Sequence, residues 1–151
     1  MSLAYPNIGL IGFGSIAKKH LDVIMAYKPN ANVLIRTRQK KIPQNLPENV
    51  RTTSSMNDVL SKKFDVIMVA TPASEHANHV VELVQCTKTL VIEKPISATS
   101  FDATKITNAV KKSGKTIWIA YNLRYLDGLT ALKNILSSGA IGEVKHLDII
   151  V

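Results

Sequence analysis

A glycine-containing turn between a short apolar run and an amphipathic pattern constrains this chain more than any other feature. Residues 8–11 can form a buried strand, and they lead directly into Gly12-Phe13-Gly14-Ser15-Ile16-Ala17. Apolar residues at helical spacing then follow at Ile16, Leu21, Ile24 and Met25. The sequence therefore predicts a strand, a G-x-G-x-x-A turn and a helix in immediate succession.

The small residues of this turn have physical reasons to be there. Gly12 allows a tight turn, Gly14 lets the backbone approach a pyrophosphate, and Ala17 lets helix and strand pack closely. The N-terminus of the helix offers free N–H groups and a positive dipole end to the phosphates. The alternative is a glycine turn without a ligand. We predict a dinucleotide site that includes Gly12, Phe13, Gly14, Ser15 and Ile16.

Length and composition are those of a small α/β domain. The chain has 151 residues, of which 46% are hydrophobic, and no apolar run approaches membrane-spanning length. It shows no signal-peptide pattern, and its single cysteine, Cys86, allows neither an internal disulfide nor a cysteine metal cluster. We therefore expect a cytoplasmic protein without a metal site and without a membrane partner.

The net charge of +8 raises the question of nucleic acid. The basic residues are spread along the chain without interleaved aromatic residues, which disfavours that partner and favours a solvated basic surface. One local asymmetry stands out, because no acidic residue lies between Asp22 and Glu48. The basic residues concentrated in this segment are Arg36, Arg38, Lys40 and Lys41.

Strand and helix patterns alternate along the chain, which predicts a doubly wound parallel sheet of the Rossmann type. The predicted strands are 8–11, 32–37, 50–52, 64–70, 90–92 and 116–120, with a further strand over 144–151. Ligands of such sheets lie beyond the carboxyl ends of the strands. Polar clusters follow several of these ends, namely Thr37-Arg38, Thr71-Pro72, Glu93-Lys94-Pro95 and Tyr121-Asn122.

The end of the second predicted strand indicates which cofactor is preferred. Folds that prefer NAD place an acidic residue there to accept hydrogen bonds from the ribose hydroxyls, and this chain has none. Thr37 can instead bond a phosphate oxygen, and Arg38 can pair with a 2′-phosphate. We expect NADP to be preferred, with NAD as the alternative if the arginines only form a solvated edge.

Together these motifs resemble the N-terminal domain of the glucose–fructose oxidoreductase / inositol dehydrogenase / rhizopine-catabolism (Gfo/Idh/MocA) family. The resemblance covers nearly the whole chain. Its pieces are the glycine turn with His20, Val69-Ala70-Thr71-Pro72 with His76, Glu93-Lys94-Pro95, Tyr121-Asn122-Leu123-Arg124 and residues 138–144.

The resemblance implies hydride transfer between a nicotinamide cofactor and a sugar-like alcohol or its ketone. Lys94 would be catalytic, because its ammonium can stabilise negative charge on the reacting oxygen; the alternative is a surface lysine. Glu93 would contact the cofactor ribose or orient Lys94. His76 would lie near the cofactor, although a capping role or an internally satisfied histidine is nearly as plausible, and His20 is equally open. Further expected cofactor contacts are Thr71, Pro72 and Asn122.

The resemblance also implies a domain boundary. Residues 1–122 would form the dinucleotide-binding domain, and residues 123–151 a junction helix and the first strand of a truncated substrate domain. In the family that second domain supplies a catalytic His, so we expect this chain alone to be inactive. The strand over 144–151 would invite pairing with a second copy. A stand-alone, non-catalytic dinucleotide-binding module is the alternative function.

Overall fold

A computed structural model describes residues 5–40 and 45–148 of the chain. The chain divides into two compact units, Met1–Ala120 and Tyr121–Val151, and each is described by itself below. Lys41 and Pro43, together with residues 149–151 of the last predicted strand, lie outside the described residues.

In the part of the chain that the structure describes, the first unit is built on one sheet of six strands, all of them parallel. The sheet order is β3-β2-β1-β4-β5-β6, so the chain runs outward from β1 to one edge and then returns to fill the other. The doubly wound Rossmann-type architecture predicted from the sequence is therefore confirmed. The strands are β1 (Asn7–Ile11), β2 (Asn32–Arg36), β3 (Val50–Thr53), β4 (Phe64–Val69), β5 (Thr87–Ile92) and β6 (Ile117–Ile119).

Helices follow β1, β3, β4 and β5, and they pack on both faces of this sheet. They are α1 (Ser15–Tyr27), α2 (Asn57–Leu60), α3 (Ala73–Leu83) and α4 (Ser100–Ser113). Helix α4 begins after Thr99, whose hydroxyl accepts a hydrogen bond of 3.1 Å from the backbone N–H of Asp102 and so caps the helix. It ends at Gly114, whose φ of +66° is the left-handed conformation that glycine adopts most readily.

Two apolar clusters hold the layers together, one on each face of the sheet. Leu10 packs with Ala17 and Leu21 of α1, whereas its neighbour Ile11 packs with residues of α3 and α4. Because successive side chains of a strand point to opposite faces, the continuous apolar run of β1 supplies both clusters. The first strand is thus fixed from both sides, and so is the turn that follows it.

The second unit contains a short 3-10 helix, Asn122–Tyr125, and helix α5 (Asp127–Ser138), which ends at Gly139 with a φ of +70°. The prediction of a strand over 144–151 is wrong for the described part of that segment, since residues 144–148 form no strand. A strand requires a hydrogen-bonded neighbour as well as an alternating pattern, and these residues pair with none of the described strands. Among the described residues, no helix has the length and apolar character needed to cross a bilayer.

Candidate functional site

The ends of β1, β2, β4 and β5, with the residues that follow them, form what we call the carboxyl edge. Gly12 ends β1 there with a φ of +99°. A Cβ on Gly12 would lie 2.6 Å from the carbonyl oxygen of Ala70, and the Gly12 N–H donates to the carbonyl of Arg36 at 2.9 Å. Gly12 is therefore required by the fold itself, because its neighbours on both sides are backbone atoms.

Gly14 lies in the opposite situation. It is the residue immediately before α1 and has an ordinary φ of −74°, and a Cβ there would meet no atom of the described residues within 4 Å. The first turn of α1 has neither an acidic residue nor a side-chain cap, so its N–H groups lack the usual internal acceptors. This open, uncapped turn fits a pyrophosphate, which needs close backbone approach and N–H donors.

The other members of the turn differ in exposure. The Phe13 side chain is buried, and the Lys18 ammonium lies 5.6 Å from the centre of its ring. Ser15 and Ile16 are exposed at the start of α1. A ligand at this turn would therefore meet the backbone of Phe13 rather than its ring, together with the side chains of Ser15 and Ile16.

At the end of β2, Thr37 and Arg38 already have partners within the protein. Thr37 is buried; its hydroxyl accepts the Gln39 N–H at 3.1 Å, and its own N–H donates to the carbonyl of Thr53. The Arg38 side chain is 64% exposed and donates to a carboxylate oxygen of Glu75, in the first turn of α3. The sequence signal at β2 did not reveal this pair, because Glu75 lies 37 residues further along the chain.

Glu75 also contacts a buried histidine of its own helix. The same carboxylate oxygen lies 3.3 Å from Nε2 of His79, and Nδ1 of His79 is 3.8 Å from Glu82. Burial lowers the pKa of His79 below its ordinary 6.5, and the nearby Arg36 lowers it further, against the raising effect of Glu75 and Glu82. The buried Nε of Arg36 has no hydrogen-bond partner among the described residues.

His76 connects the ends of β4 and β5. Its Nε2 lies 2.9 Å from the carbonyl oxygen of Thr71, and its Nδ1 lies 3.0 Å from that of Pro95. The side chain is only 1% exposed, and both ring nitrogens face backbone carbonyls of the protein itself. A contact between His76 and a cofactor stays a prediction. Near it, the buried Thr71 hydroxyl lacks a partner among the described residues, and Pro72 is exposed.

The segment after β5 carries Glu93 and Lys94. The Glu93 carboxylate lies 2.6 Å from Nε2 of His20 on α1, and its second oxygen accepts the Lys94 N–H at 3.2 Å. The Glu93 N–H donates to the carbonyl of Val69. These contacts leave the Lys94 side chain exposed beside an anchored backbone. His20, whose role the sequence left open, therefore lies against Glu93, and a role at the cofactor stays a prediction.

The predicted site residues of the first unit therefore lie on one edge of one sheet. The contacts His76–Thr71, His76–Pro95, His20–Glu93 and Arg38–Glu75 tie neighbouring strand ends together. Asn122 belongs to the second unit, where it begins the 3-10 helix. Sequence reasoning missed Glu75 entirely. An acidic residue in the first turn of the helix after β4 was the available signal.

A groove of about 520 Å³ lies at the opposite edge, where the strands begin. Asn7, Asn32 and Phe64 line it together with the exposed cations Arg51 and Lys62. It shares no lining residue with the predicted cofactor site, and in sheets of this kind ligands bind at the carboxyl ends of the strands. We therefore assign the candidate site to the carboxyl edge and not to this groove.

The sheet order and the glycine turn define a Rossmann-type α/β protein, and comparison with known proteins is consistent with that class. Residues 6–121 match the model of the oxidoreductase family with an NAD-binding Rossmann fold. The chain belongs to this family, Gfo/Idh/MocA, as its sequence motifs predicted.

Individual relatives are distant in sequence but close in fold. The chain is 26% identical to inositol 2-dehydrogenase of Salmonella typhimurium over 89% of its own length and 42% of that protein. It is 22% identical to scyllo-inositol 2-dehydrogenase (NADP(+)) IolW of Bacillus subtilis, over 95% and 40%. The WlbA dehydrogenase of Bordetella pertussis, solved with NADH and UDP-GlcNAcA, superposes with a TM-score of 0.75 at 25% identity, over 92% and 44%. The chain thus spans about two fifths of the length of these relatives.

Proposed function

We propose that this chain is the cofactor-binding part of an NAD(P)-dependent oxidoreductase that acts on a sugar or a sugar-derivative alcohol or ketone. The observation that carries the proposal is the open, uncapped turn at Gly14, on the carboxyl edge of a Rossmann-type sheet. A nicotinamide dinucleotide bound there would rest its pyrophosphate on the N-terminus of α1. When bound, the cofactor would donate or accept the hydride, and the chain's own residues would bind and orient it.

The substrate class in this proposal comes from the relatives. Two of them are inositol dehydrogenases, and the Bordetella enzyme was solved with a UDP-sugar. In the same proposal, Lys94 hydrogen-bonds the reacting oxygen. Its ammonium is exposed, and its backbone is anchored through Glu93 to His20 and through the next peptide to His76. A charge held on an anchored backbone can be preorganised for a developing oxyanion.

For the cofactor we propose a preference for NADP. The support is the cationic end of β2, where Arg38 presents a guanidinium that can bind a 2′-phosphate through paired donors. The relatives include an NADP(+) enzyme and one solved with NADH, so the family accommodates both cofactors.

Fluorescence titration with NADPH and NADH tests the cofactor site directly. Wild-type protein should bind both and prefer NADPH. Arg38→Ala should weaken NADPH binding about tenfold, the equivalent of a charge-assisted hydrogen bond, and leave NADH nearly unchanged. Arg51→Ala is the matched control, because this exposed arginine lines the groove at the opposite edge. Equal losses for the two cofactors, or a wild-type preference for NADH, would contradict the proposed preference.

We also propose that the 151-residue chain by itself turns over sugar substrates poorly or not at all. It spans about two fifths of the enzymes it resembles, and Lys94 is the one catalytic residue that the sequence predicted. Steady-state assays with inositols and UDP-sugars provide the test. A rate typical of ordinary enzymes, about 1–1000 per second, would overturn this part of the proposal and leave cofactor binding untouched.

The second candidate is a stand-alone dinucleotide-binding module without catalysis. The same titrations and assays separate the two candidates when they are repeated on a longer product of the same reading frame. Activity gained with the added residues favours the enzyme, and binding without activity favours the module.

A further inference from the structure

We infer that Glu75 is a specificity-determining residue that opposes Arg38, so that the site discriminates between NADP and NAD less strongly than its cationic strand end suggests. This inference rests on the proposed cofactor site. The end of β2 has no acidic residue of its own. Glu75, in the first turn of α3, lies beside it and contacts Arg38.

The geometry places one carboxylate between two partners. An oxygen of Glu75 accepts a hydrogen bond from a terminal nitrogen of Arg38, and it lies 3.3 Å from Nε2 of His79. The Glu75 side chain is 32% exposed, so it faces solvent as well as protein. Its position in the first turn of α3 also suits a negative charge, because the helix N-terminus is the positive end of the dipole.

The consequence for a 2′-phosphate follows from charge. One terminal nitrogen of Arg38 contacts Glu75, and the guanidinium has five N–H donors in all, so donors remain for a phosphate. A phosphate bound to them would carry its charge beside the Glu75 carboxylate, and like charges at this range repel each other. Glu75 therefore lowers the affinity for NADP without abolishing it.

The consequence for NAD has the opposite sign. A ribose with a free 2′-hydroxyl carries no charge there and can donate a hydrogen bond to a carboxylate. In dinucleotide-binding folds that prefer NAD, an acidic residue at the end of the second strand performs this role. Glu75 brings the same chemical group to the same strand end from a different element. The two residues thus have opposite effects on cofactor preference: Arg38 favours NADP, and Glu75 favours NAD.

Glu75→Gln isolates this effect. It keeps the size of the side chain and one acceptor oxygen but removes the charge. NADPH should bind about two- to fivefold more tightly, the range of an exposed charge interaction, and NADH should bind equally or slightly more weakly. The ratio of the two dissociation constants, from the fluorescence titration described above, is the readout.

Glu82→Gln is the matched control. Glu82 lies roughly two turns further along the same helix, contacts the same His79 and carries the same charge, but makes no contact with Arg38. It should leave the ratio unchanged. In an Arg38→Ala background, the gain from Glu75→Gln should shrink, because no cation then holds the phosphate beside residue 75. If Glu75→Gln unfolds the helix, Glu75→Asp tests the same contact with a smaller expected gain, since it keeps the charge but shortens the side chain that reaches Arg38.

The outcomes separate the inference from the proposed function. If the wild-type chain binds neither cofactor, the proposed site is wrong and the inference falls with it. If both cofactors bind but Glu75→Gln leaves their ratio at the wild-type value, or if Glu82→Gln changes it equally, the site stands and the inference is overturned. The inference is also overturned if the gain persists undiminished in the Arg38→Ala background.

Discussion

The turn after β1 and the ends of β2 and β5 belong to the same edge of one sheet, but they differ in how far the protein satisfies its own polar groups. At Gly14 the space is open and the helix N-terminus has no side-chain cap. At each of the other two ends one charged side chain is already paired, Arg38 with Glu75 and Glu93 with His20. A ligand at Gly14 can use backbone donors that have no internal acceptor, whereas a ligand that contacts Arg38 or Glu93 must share or displace an internal partner.

The unpaired backbone donors and the paired charges should contribute differently to binding at this site. Backbone donors that have no internal acceptor cost little to use, because nothing must be broken first. A paired charge must trade one partner for another, so its net contribution to binding is smaller than its bare charge suggests. Affinity should therefore depend mostly on the glycine turn, and selectivity on the paired charges.

The largest expected effect comes from Gly12→Ala. A Cβ there would lie 2.6 Å from the Ala70 carbonyl oxygen, at a φ of +99° that alanine disfavours. We expect the unfolding free energy to fall by about 2–5 kcal/mol from strain and overpacking combined. Urea denaturation checks this value. A loss below the error of the fit would show that the turn can relax, and that Gly12 is not required by the fold.

Gly14→Ala should have the reverse profile. Its Cβ enters open space at an ordinary φ, so the change in stability should stay below about 1 kcal/mol, the usual effect at this helix position. NADH and NADPH should both bind roughly tenfold more weakly, because the methyl group fills the space that a pyrophosphate would need. If both cofactors bind Gly14→Ala as tightly as the wild-type chain, the pyrophosphate does not bind at this turn. The pair of glycine variants thus separates folding from binding within one hexapeptide.

The contrast between the two regions also explains what the sequence could predict. The strands of the sheet and the glycine turn depend on local patterns, and both are found in the structure. The partners of Glu75 and His20 are 37 and 73 positions away, so no local pattern indicates these pairings. The expected strand over 144–151 failed over its described part for a related reason, because alternation does not supply a neighbouring strand. Roles of the individual site residues stay predictions.

A smaller effect should follow from breaking the contact between His20 and Glu93. Both side chains are largely buried, and His20→Ala leaves one Glu93 oxygen without its partner. We expect a loss of about 1–2 kcal/mol of unfolding free energy, typical of a buried group left unsatisfied.

His146→Ala is the matched control for that variant. His146 lies 2.9 Å from Asp148 in a similar histidine–carboxylate contact, but both side chains are about 80% exposed. It should cause no measurable change, since exposed pairs contribute little. Equal losses from the two variants in denaturant titrations would show that burial does not distinguish the two contacts.

The smallest expected effect is the dependence of stability on pH through His79. Burial lowers the pKa of His79 in the folded chain below its ordinary 6.5, with Glu75, Glu82 and Arg36 as its charged neighbours. The unfolded chain then binds more protons below pH 6.5 than the folded chain does. The contribution of His79 to stability is therefore fully present above that value, and it is lost as the pH falls through the lowered pKa.

His79→Gln should reduce the loss of unfolding free energy on acidification, measured as the difference between denaturation curves on either side of pH 6.5. If the variant loses as much stability as the wild-type chain over the same pH interval, His79 is not the group responsible for that loss.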